Sequence, residues 1–346
     1  MRMLLRTEFP NGPFGDPSLY IWQIDAPRAL LFDAGDLSRF TTRQLLKVDH
    51  LFISHCHIDH FFGFDLFLRL HIGSEKNITV FGPPSTSEHV AGKLRGYTWN
   101  LIHDQNLSFD VIDLDHLNQS RLTTRFHAKA GFEATDSRQE SWNPSDPIFD
   151  NGLYRIRSAL LDHRTPCLAY SIEERPSVRV LKSVIDDLGL QAGPWLEVLK
   201  TAYLSGMAEE TVLQIPRRNG ETWVIEANQL ATQVLEPRQR HKLAYATDGA
   251  ASRPNRESLL QLVESADLFF CETCFLNDDS DLARRTQHFT ATFVAELARD
   301  ARVKRLAPFH FSKRYLKRPE VILKELSTRF PGEILPLVQE PRQLRL

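Results

Sequence analysis

Short apolar runs recur along the chain, and most of them are bounded by residues that favour turns. Each run has the length of a β-strand, and several end at a His, Asp or Cys residue. The predicted strands are Ala29–Phe32, Leu51–Ile53, Ile78–Phe81, Leu243–Ala246, Leu268–Phe270 and Val303–Ala307. Apolar residues three and four positions apart predict helices in Phe61–Leu70, Arg256–Glu264, Thr290–Ala301 and Pro319–Arg329. Strands that alternate with helices predict an α/β (α+β) fold in which helices cover the sheets.

Two stretches interrupt this alternation. Residues 118–151 are polar and contain few apolar runs, which predicts a surface insertion or a long surface loop. Residues 176–220 contain a weakly helical piece, the dipeptide Gly193-Pro194 and the basic pair Arg217-Arg218, which predict an arm or subdomain outside the core. We find no internal repeat, and we expect residues 1–346 to form a single domain that carries this arm.

The composition is that of an ordinary globular protein, with 42% hydrophobic and 25% charged residues. The formal net charge of −2 gives no general attraction to nucleic acid, so a nucleic-acid partner needs local basic patches. Four cysteines are too few for the disulfide framework of a secreted chain of this length. We find neither the apolar stretch of a signal peptide nor the roughly 20 apolar residues of a membrane span. We therefore expect a cytoplasmic protein without a membrane partner.

The segment from Ser54 to His60 carries the clearest chemical signal. It holds three histidines and an aspartate within six residues, directly after an apolar predicted strand. On an extended loop, His55 and His57 project to the same side and can share one metal ion, because imidazole is a common zinc ligand. Asp59 and His60 then lie close enough to bind a second ion. A polar loop with unrelated histidines is the alternative, but the position at a strand end favours metal ligands.

Four residues do not fill the coordination shells of two metals, so other parts of the chain must contribute. His163 and His310 each follow an apolar stretch, and Asp248 ends a predicted strand before a glycine. Taken singly, each of these three is more often a structural residue, either a buried polar side chain or a turn aspartate.

The residues from His55 to His60 match the His-x-His-x-Asp-His signature of the metallo-β-lactamase superfamily. The C-terminal half resembles ribonuclease Z, the endonuclease family that trims the 3′ ends of transfer RNA. The family's Ser-Gly-Asp-Thr is similar to Ala246–Gly249, and its His-Glu-Ala-Thr-Phe to Cys271–Phe275. Its His-Ser-Thr-Ala resembles His288–Ala291, and its His-Phe-Ser-x-Arg-Tyr resembles His310–Tyr315. Gly193-Pro194 resembles the glycine-proline element of the family's RNA-binding arm, which implies that residues 176–220 bind the substrate. With this pair included, the motifs are collinear and span residues 30 to 315.

The resemblance implies a four-layer αββα sandwich that binds two divalent metal ions at one edge of its sheets. The ions are expected to be Zn²⁺, with Mn²⁺ as the alternative, in a cytoplasmic homodimer. One ion would be bound by His55, His57 and His163, and the other by Asp59, His60 and His310, with Asp248 as a bridge. Asp33 lies where the superfamily has a structural aspartate that supports the ligands.

The implied reaction is hydrolysis of a phosphodiester. Asp59 would bind a metal ion and orient the attacking water as a base, and His288 with Glu272 would donate the proton to the leaving group. Cys271 and Cys274 have the spacing of a redox pair or half of a zinc site, but no second pair exists, so we interpret them as structural.

Several features differ from the family and leave the substrate open. The loop from Glu8 to Gly15 lacks the basic residue that the family usually carries there, and Gly63–Phe67 replaces the family's Gly-Leu-Pro-Gly-Leu. The leading hypothesis is a ribonuclease Z-like RNA endonuclease that acts on transfer-RNA 3′ ends. The first alternative is a relative with another ester substrate, such as a cyclic nucleotide, single-stranded DNA or a small phosphodiester. A non-catalytic binding module is disfavoured because the ligand set is complete.

Overall fold

The structure is a computed structural model, and it describes residues 5–23 and 26–338. These residues fall into two compact units. The smaller unit combines Asn151–Tyr154 with Glu174–Arg240, and the larger unit contains the other described residues. The sequence predicted a single domain with an arm at 176–220. The smaller unit includes this segment and extends beyond it, mainly on its C-terminal side.

The first sheet of the larger unit has eight strands in the order in which they follow along the chain. The three central pairings, from the third to the sixth strand, are parallel, and the outer ones are antiparallel. The strands are β1 (Leu5–Glu8), β2 (Leu19–Gln23), β3 (Ala29–Phe32), β4 (Val48–Phe52), β5 (Asn77–Gly82), β6 (Ser108–Asp115), β7 (Ser120–His127) and β8 (Ala134–Ser141).

The second sheet of the larger unit has seven strands, and strands from the C-terminal part of the chain form one half of it. The strands are β9 (Phe149–Asp150), β10 (Tyr154–Asp162), β11 (Pro166–Glu174), β16 (Lys242–Ala246), β17 (Leu268–Glu272), β18 (Arg305–Phe309) and β19 (Glu333–Ile334). Their order across the sheet is β19-β18-β17-β16-β11-β10-β9. Strands β16 to β19 are parallel to one another, so their carboxyl ends lie at the same edge of the sheet.

Residues 118–151 contain β7, β8 and β9 instead of a long loop, and the alternative of a surface insertion stays a prediction. β7 pairs with β6 and β8 through antiparallel ladders. Only Thr124 and Phe126 of β7 are buried, and no side chain of β8 is buried. A strand that faces solvent shows no apolar alternation, so its sequence has the polar composition of a loop.

The two sheets pack face to face through aromatic side chains. The ring of Tyr170 in β11 lies 5.5 Å from that of Phe32 and 5.6 Å from that of Phe52, and both phenylalanines belong to the first sheet. The helices that pack with the first sheet are α1 (Thr42–Leu45), α2 (Ile58–Phe61), α3 (Phe64–His71) and α4 (Thr86–Arg95). Those that pack with the second sheet are α8 (Arg253–Val263), α9 (Ser280–Thr286), α10 (Ala291–Asp300) and α11 (Glu320–Ser327). Each sheet and its helices share a continuous apolar core, which confirms the predicted αββα sandwich.

The smaller unit has its own apolar core, centred on Trp195, Leu199 and Leu230. It contains helices α5 (Lys182–Asp187), α6 (Trp195–Ser205) and α7 (Ala227–Val234), and the strand pairs β12 (Val178–Val180) with β15 (Leu235–Pro237) and β13 (Val212–Pro216) with β14 (Thr222–Glu226). The two ends of the segment that forms this unit are adjacent, since the N–H of Arg238 donates a hydrogen bond of 2.9 Å to the carbonyl oxygen of Ser177. A role in substrate binding stays a prediction.

Among the described residues, every helix is too short or too polar to cross a lipid bilayer.

Candidate metal centre

Apart from His288, the predicted site residues lie at or after the carboxyl ends of strands in both sheets. In the first sheet, the His55–His60 segment begins three residues after β4. In the second, Glu272 ends β17 and His310 directly follows β18. His163 directly follows β10, and Asp248 comes two residues after β16. Loops at the ends of buried strands are rigidly anchored, which suits residues that must converge on one point.

A close approach of two backbone segments fixes the loop and the first helices after β4. The N–H of Gly63 donates a hydrogen bond of 2.7 Å to the carbonyl oxygen of Ala34. A Cβ atom on Gly63 would lie 2.2 Å from the carbonyl oxygen of Gly35, so only glycine allows this approach. The contact holds α2, which contains Asp59 and His60, against the loop that follows β3.

The first candidate ligand set comprises His55, His57, His163 and Asp248. One ligand atom from each of these residues lies within 4.8 Å of the others. The Nε2 atoms of His163 and His55 lie 3.5 Å and 3.8 Å from Oδ2 of Asp248. The sequence predicted this set from three separate parts of the chain, and the structure brings its members together.

The second candidate set comprises Asp59, His60 and His310, whose ligand atoms also lie within 4.8 Å of one another. Nε2 of His310 is 3.2 Å from Oδ2 of Asp59, and Nε2 of His60 is 3.6 Å from the same oxygen. Asp248 also borders this set, since its Oδ2 lies 3.5 Å from Nε2 of His60. Its carboxylate therefore lies between the two sets, as a bridging ligand would.

Buried ring nitrogens provide a test of whether these residues fit metal ions. Nε2 of His55 and Nε2 of His60 are buried and lack a hydrogen-bond partner among the described residues. The other ring nitrogens are held, with Nδ1 of His60 2.9 Å from Oδ2 of Asp33 and Nδ1 of His163 2.8 Å from the carbonyl oxygen of Gln287. Metal-binding histidines show this pattern, because the second nitrogen fixes the ring while the first faces the ion. The residues therefore fit a metal centre.

Buried carboxylates also favour positive charge at this place. Burial alone would raise the pKa of Asp248, but His310 and His60 hold it well below its usual value. Burial alone would lower the pKa of His60, but Asp248 and Asp33 raise it to about 10. The pKa of His55 is instead lowered, by burial and by its histidine neighbours, which keeps this ring in the neutral form that binds metals. A divalent cation supplies the positive charge that these carboxylates require.

Asp33 supports the candidate metal ligands through hydrogen bonds, as the sequence predicted. It is fully buried, and it accepts hydrogen bonds from the N–H of Ser54 at 2.7 Å and from the hydroxyl of Tyr245 at 2.7 Å. It also accepts a hydrogen bond of 2.8 Å from the hydroxyl of Ser54, and its Oδ2 lies 2.9 Å from Nδ1 of His60. The hydroxyl of Tyr245 comes from the second sheet, so Asp33 links both sheets to one ligand. Sequence patterns did not single out Tyr245 or Gln287, because neither belongs to a recognisable motif.

His288 and Glu272 form a hydrogen-bonded pair next to the two ligand sets. Nδ1 of His288 is 2.8 Å from Oε2 of Glu272, and it lies 3.8 Å from Oδ2 of Asp248. Glu272 is fully buried, and its Oε1 accepts hydrogen bonds from the N–H groups of Gly249 at 3.1 Å and Phe289 at 3.0 Å. This carboxylate is therefore fixed by backbone donors and can orient the imidazole of His288.

Both the sequence and the fold of this chain are similar to those of one protein superfamily. Residues 20–108 match the sequence profile of the metallo-beta-lactamase superfamily. The fold agrees with that of the metallo-beta-lactamase fold protein YhfI from Bacillus subtilis, with a TM-score of 0.55, 14% identity and 95% coverage of both chains. With the short form of human tRNase Z the TM-score is 0.50 at 16% identity, covering 97% of this chain and 99% of that one. The protein is a metallo-hydrolase of this superfamily.

The family follows from sequence identity. The chain is 30% identical over 290 residues to ribonuclease Z of Deinococcus radiodurans, and this alignment covers 83% of each protein. It therefore belongs to the ribonuclease Z family.

Proposed function

We propose that this protein is an RNA endonuclease that cleaves precursor transfer RNA at its 3′ end with two bound zinc ions. Family membership supports this proposal, as do the two ligand sets around Asp248. The observation that carries it is the pairing of His288 with buried Glu272 beside those sets. A ribose alkoxide is a poor leaving group, and a positioned imidazolium can supply the proton that it needs.

The metal ligands in this proposal are the residues of the two sets. His55, His57 and His163 would hold one ion, Asp59, His60 and His310 the other, and Asp248 would contact both. When bound, two such ions lower the pKa of water towards neutrality and neutralise charge on the phosphate oxygens. The choice of zinc rests on the predominance of imidazole ligands, and the carboxylates make Mn²⁺ the alternative.

Asp59 and His288 have complementary tasks in the proposed reaction. Burial would raise the pKa of Asp59, but its hydrogen bond with His310 lowers it below the usual value. The ionised carboxylate can therefore accept a hydrogen bond from the attacking water and orient it. Burial would lower the pKa of His288, but Glu272 raises it, which favours the protonated imidazole. Because Nδ1 faces Glu272, the other ring nitrogen is free to donate a proton to the leaving oxygen.

A smaller diester substrate is the second candidate, and one feature near the centre favours it. The loop that carries a basic residue in the family has none here, and Nδ2 of Asn11 fixes it by donating to the carbonyl oxygens of Asp16 at 2.6 Å and Asp36 at 2.8 Å. Burial and the nearby carboxylate of Asp59 raise the pKa of Asp16. A loop without a basic residue gives the phosphates of a long polyanion no favourable charge contact at this place.

A substrate panel tests the two candidates. A 3′-extended transfer RNA, an unstructured RNA of equal length, single-stranded DNA and a cyclic nucleotide would be incubated with the two-metal protein, and the product ends mapped. Asp59→Ala serves as the control for a contaminating nuclease. We expect one cut after the transfer-RNA body. Equal cleavage of the unstructured RNA, or cleavage of the cyclic nucleotide alone, would contradict the proposal.

The family resemblance also implies a homodimer in the cytoplasm, and both stay predictions. Sedimentation equilibrium of the purified protein would measure the first directly.

A further inference from the structure

Cys274 brings a thiol to the edge of the proton-donor pair. It lies two residues after Glu272 and is 6% exposed. The ribonuclease Z motif that resembles Cys271–Phe275 has threonine at this position. This chain therefore differs from the motif at Cys274, and the thiol has no role in the proposed cleavage reaction.

The surroundings of Cys274 contain imidazole and carboxylate groups, which also bind zinc. One ligand atom each from Glu272, Cys274, His288 and His310 lies within 4.8 Å of the others. Oε2 of Glu272 is 2.8 Å from Nδ1 of His288 and 3.4 Å from Nδ1 of His310. Zinc bonds of about 2.0–2.3 Å in a tetrahedron place ligand atoms roughly 3.3–3.8 Å apart, so only small side-chain movements are needed.

We propose that Glu272, Cys274 and His288 form a third metal site, which takes Zn²⁺ or Cd²⁺ after the two catalytic positions are filled. His310 borders this site, but its Nε2 faces Asp59 and belongs to the second ligand set. Three protein ligands leave a fourth position for water, and the combination of thiolate, imidazole and carboxylate selects zinc-like ions over Mg²⁺ or Mn²⁺.

Occupation of this site changes the protonation of its ligands. The thiol of Cys274 and the Nδ1–H of the His288 imidazolium each lose a proton to solvent. The sulfur and Nδ1 then bind the metal. Glu272 contributes an oxygen that already carries negative charge. The net charge of the site is unchanged by the exchange of two protons for one divalent cation.

The third ion is inhibitory, and this consequence rests on the proposed role of His288 as proton donor. A metal-bound neutral imidazole retains only its Nε2–H, which is a far weaker acid than an imidazolium. Excess zinc should therefore slow cleavage of RNA, whose leaving group needs the proton, more than cleavage of bis-p-nitrophenyl phosphate. The enzyme would respond to a surplus of the metal that it requires.

Cadmium titration of the two-zinc protein tests binding without reference to activity. We expect the ultraviolet charge-transfer band of a cadmium–thiolate bond to saturate at one added equivalent, while the two zinc ions remain bound by elemental analysis. Cys274→Ser and Cys274→Thr should lack the band. Cys167→Ser is the matched control, since its sulfur lies 3.7 Å from Nδ1 of His55 and would report cadmium entering the first set instead.

The outcomes separate the third site from the proposed function. A band that persists in both Cys274 variants, or that is absent from the parent protein, would overturn the third site whatever the substrate is. Loss of the band in Cys167→Ser alone would do the same. In the parent protein, zinc beyond two equivalents should inhibit RNA cleavage, and Cys274→Ser should need at least about tenfold more zinc, since even residues that only support ligands change metal affinity that much. Inhibition unchanged by Cys274→Ser would refute the inhibitory role while leaving the binding test valid.

Discussion

Replacement of His288 by alanine is the sharpest test of the proposed proton donor, because the structure indicates that little else should change. Glu272 would lose one partner, but its Oε1 keeps the N–H groups of Gly249 and Phe289. Its Oε2 keeps the contact of 3.4 Å with His310. Neither candidate ligand set includes His288, so His288→Ala should fold and retain two metal ions.

The expected loss depends on the leaving group. General acid catalysis is typically worth 10²–10⁴-fold, which corresponds to about 2.7–5.4 kcal/mol of transition-state stabilisation. The loss of kcat on RNA should fall in this range because the ribose oxygen leaves as a strong base. p-Nitrophenolate leaves without a proton, so bis-p-nitrophenyl phosphate should be hydrolysed within about a few-fold of the parent rate.

The assay compares both substrates under single-turnover conditions, with metal content measured on the same samples. His89→Ala is a matched control, since His89 is an exposed histidine in α4 and belongs to neither ligand set. It should leave both rates unchanged. Equal slowing of the two substrates by His288→Ala would show a structural role, and loss of metal would show that His288 is a ligand.

Four further changes have distinct expected results. Asp248→Ala should lose more metal than any other single ligand variant, because its carboxylate contacts both sets; elemental analysis showing two ions per chain would contradict this. Asp59→Ala should lose nearly all turnover while circular dichroism shows the parent fold; full metal loading with near-parental hydrolysis would exclude its role. Tyr245→Phe removes one hydrogen bond to Asp33, so denaturant unfolding should show a free energy of unfolding lower by about 1–2 kcal/mol. Chelator competition should show zinc affinity weakened by about tenfold. An unchanged affinity would mean that this hydroxyl does not position the ligand. Replacement of 178–237 by a short linker should weaken RNA cleavage and largely spare the nitrophenyl ester; equal loss on both substrates would mean that the segment belongs to the catalytic core.

The sequence predicted those parts of the fold whose signal is local. The strand predicted at Ala29–Phe32 has these bounds in the structure, because a fully buried strand is a continuous apolar run. The helix predicted at Phe61–Leu70 is interrupted instead, since α2 ends at Phe61 and α3 begins at Phe64. Its apolar periodicity continues across the break, which the close approach at Gly63 imposes from another part of the chain.

The metal centre shows the same division between local and distant signals. His55 to His60 could be recognised because all of these candidate ligands lie in one short segment. His163, Asp248 and His310 became specific only through the family resemblance, since a single histidine or aspartate at a strand end has several explanations. Tyr245 could not be found, because its role depends on a hydrogen bond to Asp33, which is more than two hundred residues away along the chain.

The division of the ligands between the two sheets links folding to the supply of metal. The candidate ligands from His55 to His60 follow a strand of the first sheet, and His163, Asp248 and His310 follow strands of the second. Bound ions would therefore cross-link the two halves of the sandwich. A ligand present at a thousand times its dissociation constant stabilises the native state by about 4 kcal/mol, against total stabilities of about 5–15 kcal/mol. A cell deprived of the metal would lose the protein as well as its activity, because chains that unfold more often are degraded sooner.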